Sequence, residues 1–181
     1  MTTALLLIDI QNDYFPGGAM ELVGQDAAAA QAARLLASFR AKALPVFHVQ
    51  HLATRPGATF FVPGTTGAGI HAVVAPAAGE TIVTKNFPSA FRGTTLHEAL
   101  QAAKVEQLVV AGMMTHMCVD TTVRAAADLG YACSLAQDAC ATKELAFGGE
   151  RIGAAQVQLA YLAALNGSFA SVRPADELLA A

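Results

Sequence analysis

The chain has 181 residues, enough to bury about 70% of its unfolded surface around one core, so it is read as a single domain over residues 1–181. Eleven Lys and Arg against fourteen Asp and Glu leave a formal charge of −3. No basic surface is there to draw phosphates or anionic lipids, which excludes nucleic acid and membrane as expected partners. Hydrophobic residues make up 54% and charged residues only 14%, a low charge for a solvated surface, pointing to a homodimer or homotetramer that hides apolar area between copies.

Ala4–Ile8 is a continuous apolar run, as expected of a parallel strand covered by helices on both faces. A polar loop from Gln11 to Gly24 follows. Asp26 can cap a helix reaching about Lys42, with Leu35, Leu36 and Phe39 facing inward. Pro45–Val49 reads as the second strand. Residues 53–79 hold three of the seven prolines and no clear period, so they are expected to form a long surface excursion. Thr81–Thr84 is the third strand, followed by a helix from near Thr94 or Thr95. Leu108–Gly112 is the fourth, leading into a helix from about His116 to Leu129. A fifth strand near Ala132–Ala136, a helix from Gly153 to Leu165 and a sixth strand at Phe169–Val172 complete the pattern. Strands alternating with helices predict an α/β fold. Six strands are too few for an eight-stranded barrel, so an open, doubly wound parallel sheet with helices on both faces is expected.

Ligands of such sheets bind beyond the carboxyl ends of the strands, so the residues ending each strand carry the functional information. Asp9 closes the first strand, Lys85 closes the third, and the fourth runs into Gly112–Cys118. An isolated Asp9 or Lys85 at the end of an apolar run would cost several kcal/mol, and pairing the two removes that cost. Cys118 falls in the first turn of the next helix, where free N–H groups and a nearby ammonium favour thiolate and can receive an oxyanion. Cys133 lies within the fifth strand. Cys140, in the loop expected at 138–142, is the competing thiol.

No phosphate-cradling glycine motif follows the first strand, which argues against a nucleotide cofactor. His48 and His51 are three apart and face opposite ways on a strand, so core or loop packing is the expected role and no metal is assigned. With no disulfide framework, basic leader or apolar span of about 20 residues, the expected location is cytoplasmic.

Leu7-Ile-Asp-Ile-Gln-Asn-Asp13, Val83-Thr-Lys-Asn-Phe-Pro-Ser-Ala-Phe91 followed by Gly93-Thr94, and Val110-Ala-Gly-Met-Met-Thr-His-Met-Cys-Val-Asp-Thr121 together resemble the isochorismatase-like cysteine hydrolases. The resemblance implies strand order 3-2-1-4-5-6, a catalytic triad of Asp9, Lys85 and Cys118, and a cis peptide joining Met113 to Met114. The N–H groups of Met114 and Cys118 would then form an oxyanion hole. It also implies cleavage of a C–N bond in a small amide, carbamoyl or lactam substrate through a thioester, without a cofactor. Asn12, Phe15, Phe60, Phe91 and His116, on loops leaving the same strand ends, are the expected substrate walls. The segment His48-Val-Gln-His-Leu-Ala-Thr-Arg55 lacks the Asp-x-His pattern of the zinc-dependent nicotinamidases. Such a nicotinamidase and a non-catalytic binding or scaffold protein of the same fold are the alternatives.

Overall fold

The computed structural model describes residues 1–180. Strands β1 (Thr2–Ile8), β2 (Val46–His51), β3 (Thr81–Lys85), β4 (Val105–Met113), β5 (Ala132–Ala141) and β8 (Ser171–Arg173) form one sheet in the order β3-β2-β1-β4-β5-β8, every pair parallel. A separate hairpin, β6 (Leu145–Phe147) with β7 (Glu150–Ile152), intervenes in the chain. With its two strands set aside, the order is the expected 3-2-1-4-5-6.

Strand alternation divides the core. Leu5 and Leu7 face α1 (Gln25–Ala41) and pack with its Leu35, Leu36 and Phe39. Ala4, Leu6 and Ile8 face the other way, toward α2 (Leu96–Ala102) and α3 (Asp120–Asp128), where Leu96, Leu100, Val123 and Ala126 are buried. That is why β1 is apolar at every position. Helix α4 (Ala154–Leu165) buries only Val157 and Leu165 and has no charged residue; its Leu159 and the neighbouring Phe147 are largely exposed.

Several local expectations change. Helix α1 begins after Gly24, which turns the chain at φ 76°, and Asp26 lies inside the first turn without capping it. Strand β5 runs to Ala141, past the expected end at Ala136, because a register shift opposite Val110–Gly112 lets it continue pairing with Gly112 facing Cys140. Cys140 is therefore a strand residue and not a loop thiol. The last sheet strand is Ser171–Arg173 and is followed by α5 (Ala175–Ala180), which was not anticipated. Hairpin β6–β7 was also missed, although its Gly148-Gly149 turn, with both residues at positive φ, is a recognised two-residue hairpin signal. No helix among the described residues is long and apolar enough to cross a membrane.

The excursion after β2 folds back over the carboxyl ends of β1 and β2. Buried Asp13 anchors it, accepting from Phe61 N at 2.6 Å and Ala19 N at 3.2 Å. A Cβ at Gly67 would lie 2.1 Å from Asp13 Oδ1, so only glycine allows this approach. The excursion's far end is pinned by Glu80, whose carboxylate receives Arg40 at 2.7 and 2.8 Å, His48 Nε2 at 2.8 Å and Ala77 N at 2.8 Å. Arg40's hydrogen bond, with help from the other donors, brings the Glu80 pKa down to about 2. A depressed carboxyl pKa stabilises the fold above the unfolded value and loses that contribution as pH falls through the folded one. Glu80→Gln is therefore expected to lower stability at pH 7 by on the order of 2 kcal/mol and to flatten its decline between about pH 5 and 2, measured by urea unfolding across pH.

Candidate active site

The adjacent strands β3, β2, β1 and β4 end side by side, and each delivers one polar group to the same point. Asp9 follows β1 with φ 52°, a left-handed conformation that aspartate tolerates better than most residues. Its N–H is held by Val49 O and its own carbonyl receives Gln11 N, both at 3.0 Å. Gly112 of β4 makes room alongside: a Cβ there would lie 2.1 Å from Ile8 O, so the two strands approach this closely only with glycine.

Lys85 Nζ is the centre of the cluster. It lies 2.7 Å from Asp9 Oδ2, 2.8 Å from His51 Nδ1, 3.1 Å from Phe87 O and 3.3 Å from Cys118 Sγ. The side chains of Asp9 and Lys85 are fully buried. Their contact is an ion pair by distance, but its angles fall outside hydrogen-bond geometry, and Asp9 Oδ1 has no hydrogen-bond partner. Burial alone would lower the Lys85 pKa, yet the Asp9 carboxylate together with Cys118 outweighs it and holds the ammonium above its usual value.

Cys118 sits in a π-helical turn, Thr115–Val119, that carries β4 into α3. Met114 opens this turn after a cis Met113–Met114 peptide, and its carbonyl receives both Met117 N and Val119 N. The expected thiolate is not the resting form here. Burial, followed by the charge of Asp9, pushes the thiol pKa well above its ordinary value, and Lys85 offsets only part of that rise. Cys118 is thus a neutral thiol beside a carboxylate that has a free oxygen. Burial also raises Cys133 to about 11 and Cys140 to about 12. Neither has an ammonium among the described residues to offset that rise.

His51 is the site residue that sequence reasoning missed. Weighed only as a metal ligand with His48, it was assigned to packing, although it ends β2 just as Asp9 and Lys85 end or follow their strands. It lies beside Lys85 because the two are register partners. Gln11 clamps its backbone from both sides, accepting His51 N at 2.7 Å and donating to His51 O at 2.9 Å. Tyr14 is a second omission. Its buried ring packs against Phe61, and its phenol pKa is raised chiefly by burial and further by the nearby carboxylates of Asp9 and Asp13.

The expected substrate walls separate into different places. Phe60 borders a cavity of about 340 Å³ together with His51, Arg55, Phe61 and Phe87. Asn12 fastens the excursion through Thr66 O at 2.8 Å, and Phe15 is buried in a stack on His71. Phe91 turns away to pack between Tyr131 and His97, because the chain after β3 descends along α2. His116 points toward α4, with Nδ1 2.5 Å from Thr142 Oγ1 and its ring edge-on to Tyr161. None of these four borders the Phe60 cavity.

Asp9, His51 and Cys118 place ligand-type atoms within 4.8 Å of one another, a grouping able to hold a metal ion. All three also lie against Lys85 Nζ at 2.7 to 3.3 Å, so the ammonium occupies the space and supplies the positive charge that an ion would. The residues present do not fit a metal unless lysine is displaced.

A buried carboxylate, ammonium and thiol at the carboxyl edge of a doubly wound sheet define an enzyme site of hydrolase type, and the comparisons agree. Residues 3–165 match the isochorismatase domain, and the chain belongs to the isochorismatase family. It is 49% identical over 179 residues to YddQ, an uncharacterised isochorismatase family protein of Bacillus subtilis, covering 99% of each chain. A streptothricin hydrolase of Streptomyces noursei is 36% identical over 143 residues, which span 78% of this chain and 50% of that protein. The crystal structure of an isochorismatase-type protein from Oleispira antarctica superimposes with a TM-score of 0.97 at 52% identity, covering 99% of this chain and 97% of that one. Because the ammonium stands where an ion would, hydrolytic activity is expected to survive exhaustive chelation, and added zinc is expected to inhibit by engaging the same three groups. Activity lost on chelation and restored by zinc would contradict the geometry.

Proposed function

We propose that the protein hydrolyses a C–N bond in a small amide, carbamoyl or lactam substrate, with Cys118 as nucleophile. The observation that carries this reading is the single buried contact shell in which Lys85 Nζ touches both Asp9 Oδ2 and Cys118 Sγ. A raised thiol pKa requires a base when the substrate arrives, and among the described residues Asp9 is the only carboxylate in that shell. Asp9 takes the Cys118 proton as the sulfur attacks the carbonyl carbon, and the carbonyl electron pair moves onto oxygen. The N–H groups of Met114 and Cys118 are the proposed donors to that oxyanion. Asp9 then gives its proton to the departing nitrogen, leaving a thioester. It next deprotonates the water that replaces sulfur and returns the proton to the thiol. An amine leaves poorly unless protonated, so a carboxylic acid beside the nucleophile suits amide cleavage. Throughout, Lys85 keeps Asp9 in place and lowers the energetic cost of the transient thiolate.

Cys118→Ala is expected to retain the fold and lose roughly 10³-fold or more of turnover against an amide panel read by ammonia release. Cys140→Ala is expected to leave turnover nearly intact, since that thiol is buried opposite Gly112. Trapping with a slow substrate should add the acyl mass to the Cys118 peptide; an adduct on Cys140 would move the nucleophile.

Asp9, Lys85 and Cys118 are also expected to act as a unit. Asp9→Asn and Lys85→Met should each reduce kcat/KM by orders of magnitude, while the double variant should cost far less than the product of the two. Alkylation rates against pH give an independent readout. Lys85→Met should raise the apparent Cys118 pKa and Asp9→Asn should lower it, following the sign of each removed charge. Multiplicative losses with an unmoved thiol pKa would dissolve the proposed triad.

A further inference from the structure

We infer that the protein carries a second ligand site, at the amino ends of the strands, for a small monocarboxylate with an apolar body, recognised by Arg173 and Lys42. The sheet face that α1 covers changes character along its length. Leu5, Leu7, Val109, Ala111 and Ala136 make most of it apolar and buried. Toward the amino ends, strand register sets Thr3 beside Gln107 and Gln107 beside Ala132, and in the next row Val109 beside Ser134 and Ser134 beside Ser171. Arg173 lies two residues beyond Ser171 and so shares that face. The end of α1 and helix α5 do not close over these positions. Between them and the sheet lies a cavity of about 530 Å³, with Phe39, Leu44, Val109 and Leu178 as its apolar walls. The small side chains of Ala132 and Ser134 leave the space open, and its size falls within the roughly 300–1,000 Å³ of small-molecule sites.

The charge around this cavity has one sign. Lys42, which follows α1, and Arg173 both line it, neither makes an ion pair among the described residues, and no Asp or Glu lines it. Arg173 Nε donates to Ser171 Oγ at 2.9 Å, which sets the plane of the guanidinium and leaves its two terminal amino groups without an acceptor among the described residues. A guanidinium fork so held matches the two oxygens of a carboxylate, and the Lys42 ammonium adds a point charge of the same sign. The apolar walls then decide the rest of the ligand. A bare inorganic anion leaves them uncovered, and a neutral apolar molecule leaves the cations uncompensated; a carboxylate on an aliphatic or aromatic body satisfies both. The cavity is separate from the hydrolytic centre. Gln107 precedes Met113 by six residues of β4, about 20 Å along the strand, and none of Asp9, Lys85 and Cys118 lines it.

Calorimetric titration of the full chain with hexanoate, hexan-1-ol and inorganic phosphate tests the assignment, because the three probes carry the charge and the apolar body together, the body alone and the charge alone. Hexanoate is expected to bind at one site about tenfold or more tightly than either of the others. Arg173→Gln should weaken hexanoate by about tenfold, and Arg173→Lys should keep part of that loss from appearing. Ser134→Leu, which fills the cavity from the sheet side, should abolish hexanoate binding, with its fold checked by circular dichroism. If that variant does not fold, Arg173→Gln decides, since Arg173 is half-buried on the short edge strand β8. Absent hexanoate binding, or equal binding of hexan-1-ol or phosphate, would overturn the inference. So would hexanoate affinity unmoved by Arg173→Gln and Ser134→Leu, which would locate the anion elsewhere, the hydrolytic centre included. Every arm reads binding alone, so the outcome stands apart from whether Cys118 is the nucleophile.

Discussion

One ammonium organises this molecule. A lysine with no exposed surface is tolerable only when charge and hydrogen-bond acceptors surround it, and Lys85 is met by a carboxylate, an imidazole nitrogen, a backbone carbonyl and a thiol. Each of those groups is held by a different strand end or turn. The parallel sheet is therefore more than a scaffold: adjacent strands β3, β2, β1 and β4 must end at one level for the charge to be compensated. Satisfying the lysine and assembling the reactive centre are the same structural task.

The neutral Cys118 thiol follows from this arrangement. A thiol close to both an ammonium and a carboxylate, shielded from water, feels opposing fields, and burial together with Asp9 prevails. A raised thiol pKa lowers the share of the strongly nucleophilic thiolate at neutral pH.

Around this centre the chain spends its polar residues on fastening loops. Gln11 holds the His51 backbone, Asp13 draws Phe61 and Ala19 together, and Glu80 collects Arg40, His48 and Ala77 N. The excursion after β2 has little regular structure, so its backbone groups depend on these side chains for partners. This explains how a loop of that length can present a formed aromatic cavity beside Lys85 without a sheet or long helix of its own.

The fold class, the strand positions and the trio Asp9, Lys85 and Cys118 were legible in the sequence, because burial of both sheet faces writes itself as apolar runs, and because charges at the ends of such runs demand partners. The Gly148-Gly149 pair is a local hairpin signal as well, but the three-residue strands beside it are mostly exposed. What no local pattern contained was the consequence of neighbouring strands. His51 becomes a site residue because β2 lies between β3 and β1, and β5 reaches Ala141 because it takes up extra residues where its register against β4 shifts. Phe91, in the turn before α2, packs on Tyr131, and His116 packs on Tyr161 of α4, contacts made with segments distant in the chain. The balance of burial against two opposite charges, which decides the protonation of Cys118, likewise depends on distances between residues far apart in the chain. The sequence by itself determined which groups needed compensation; only the tertiary structure decided which group compensates which, because pairing energies depend on separation and burial in space.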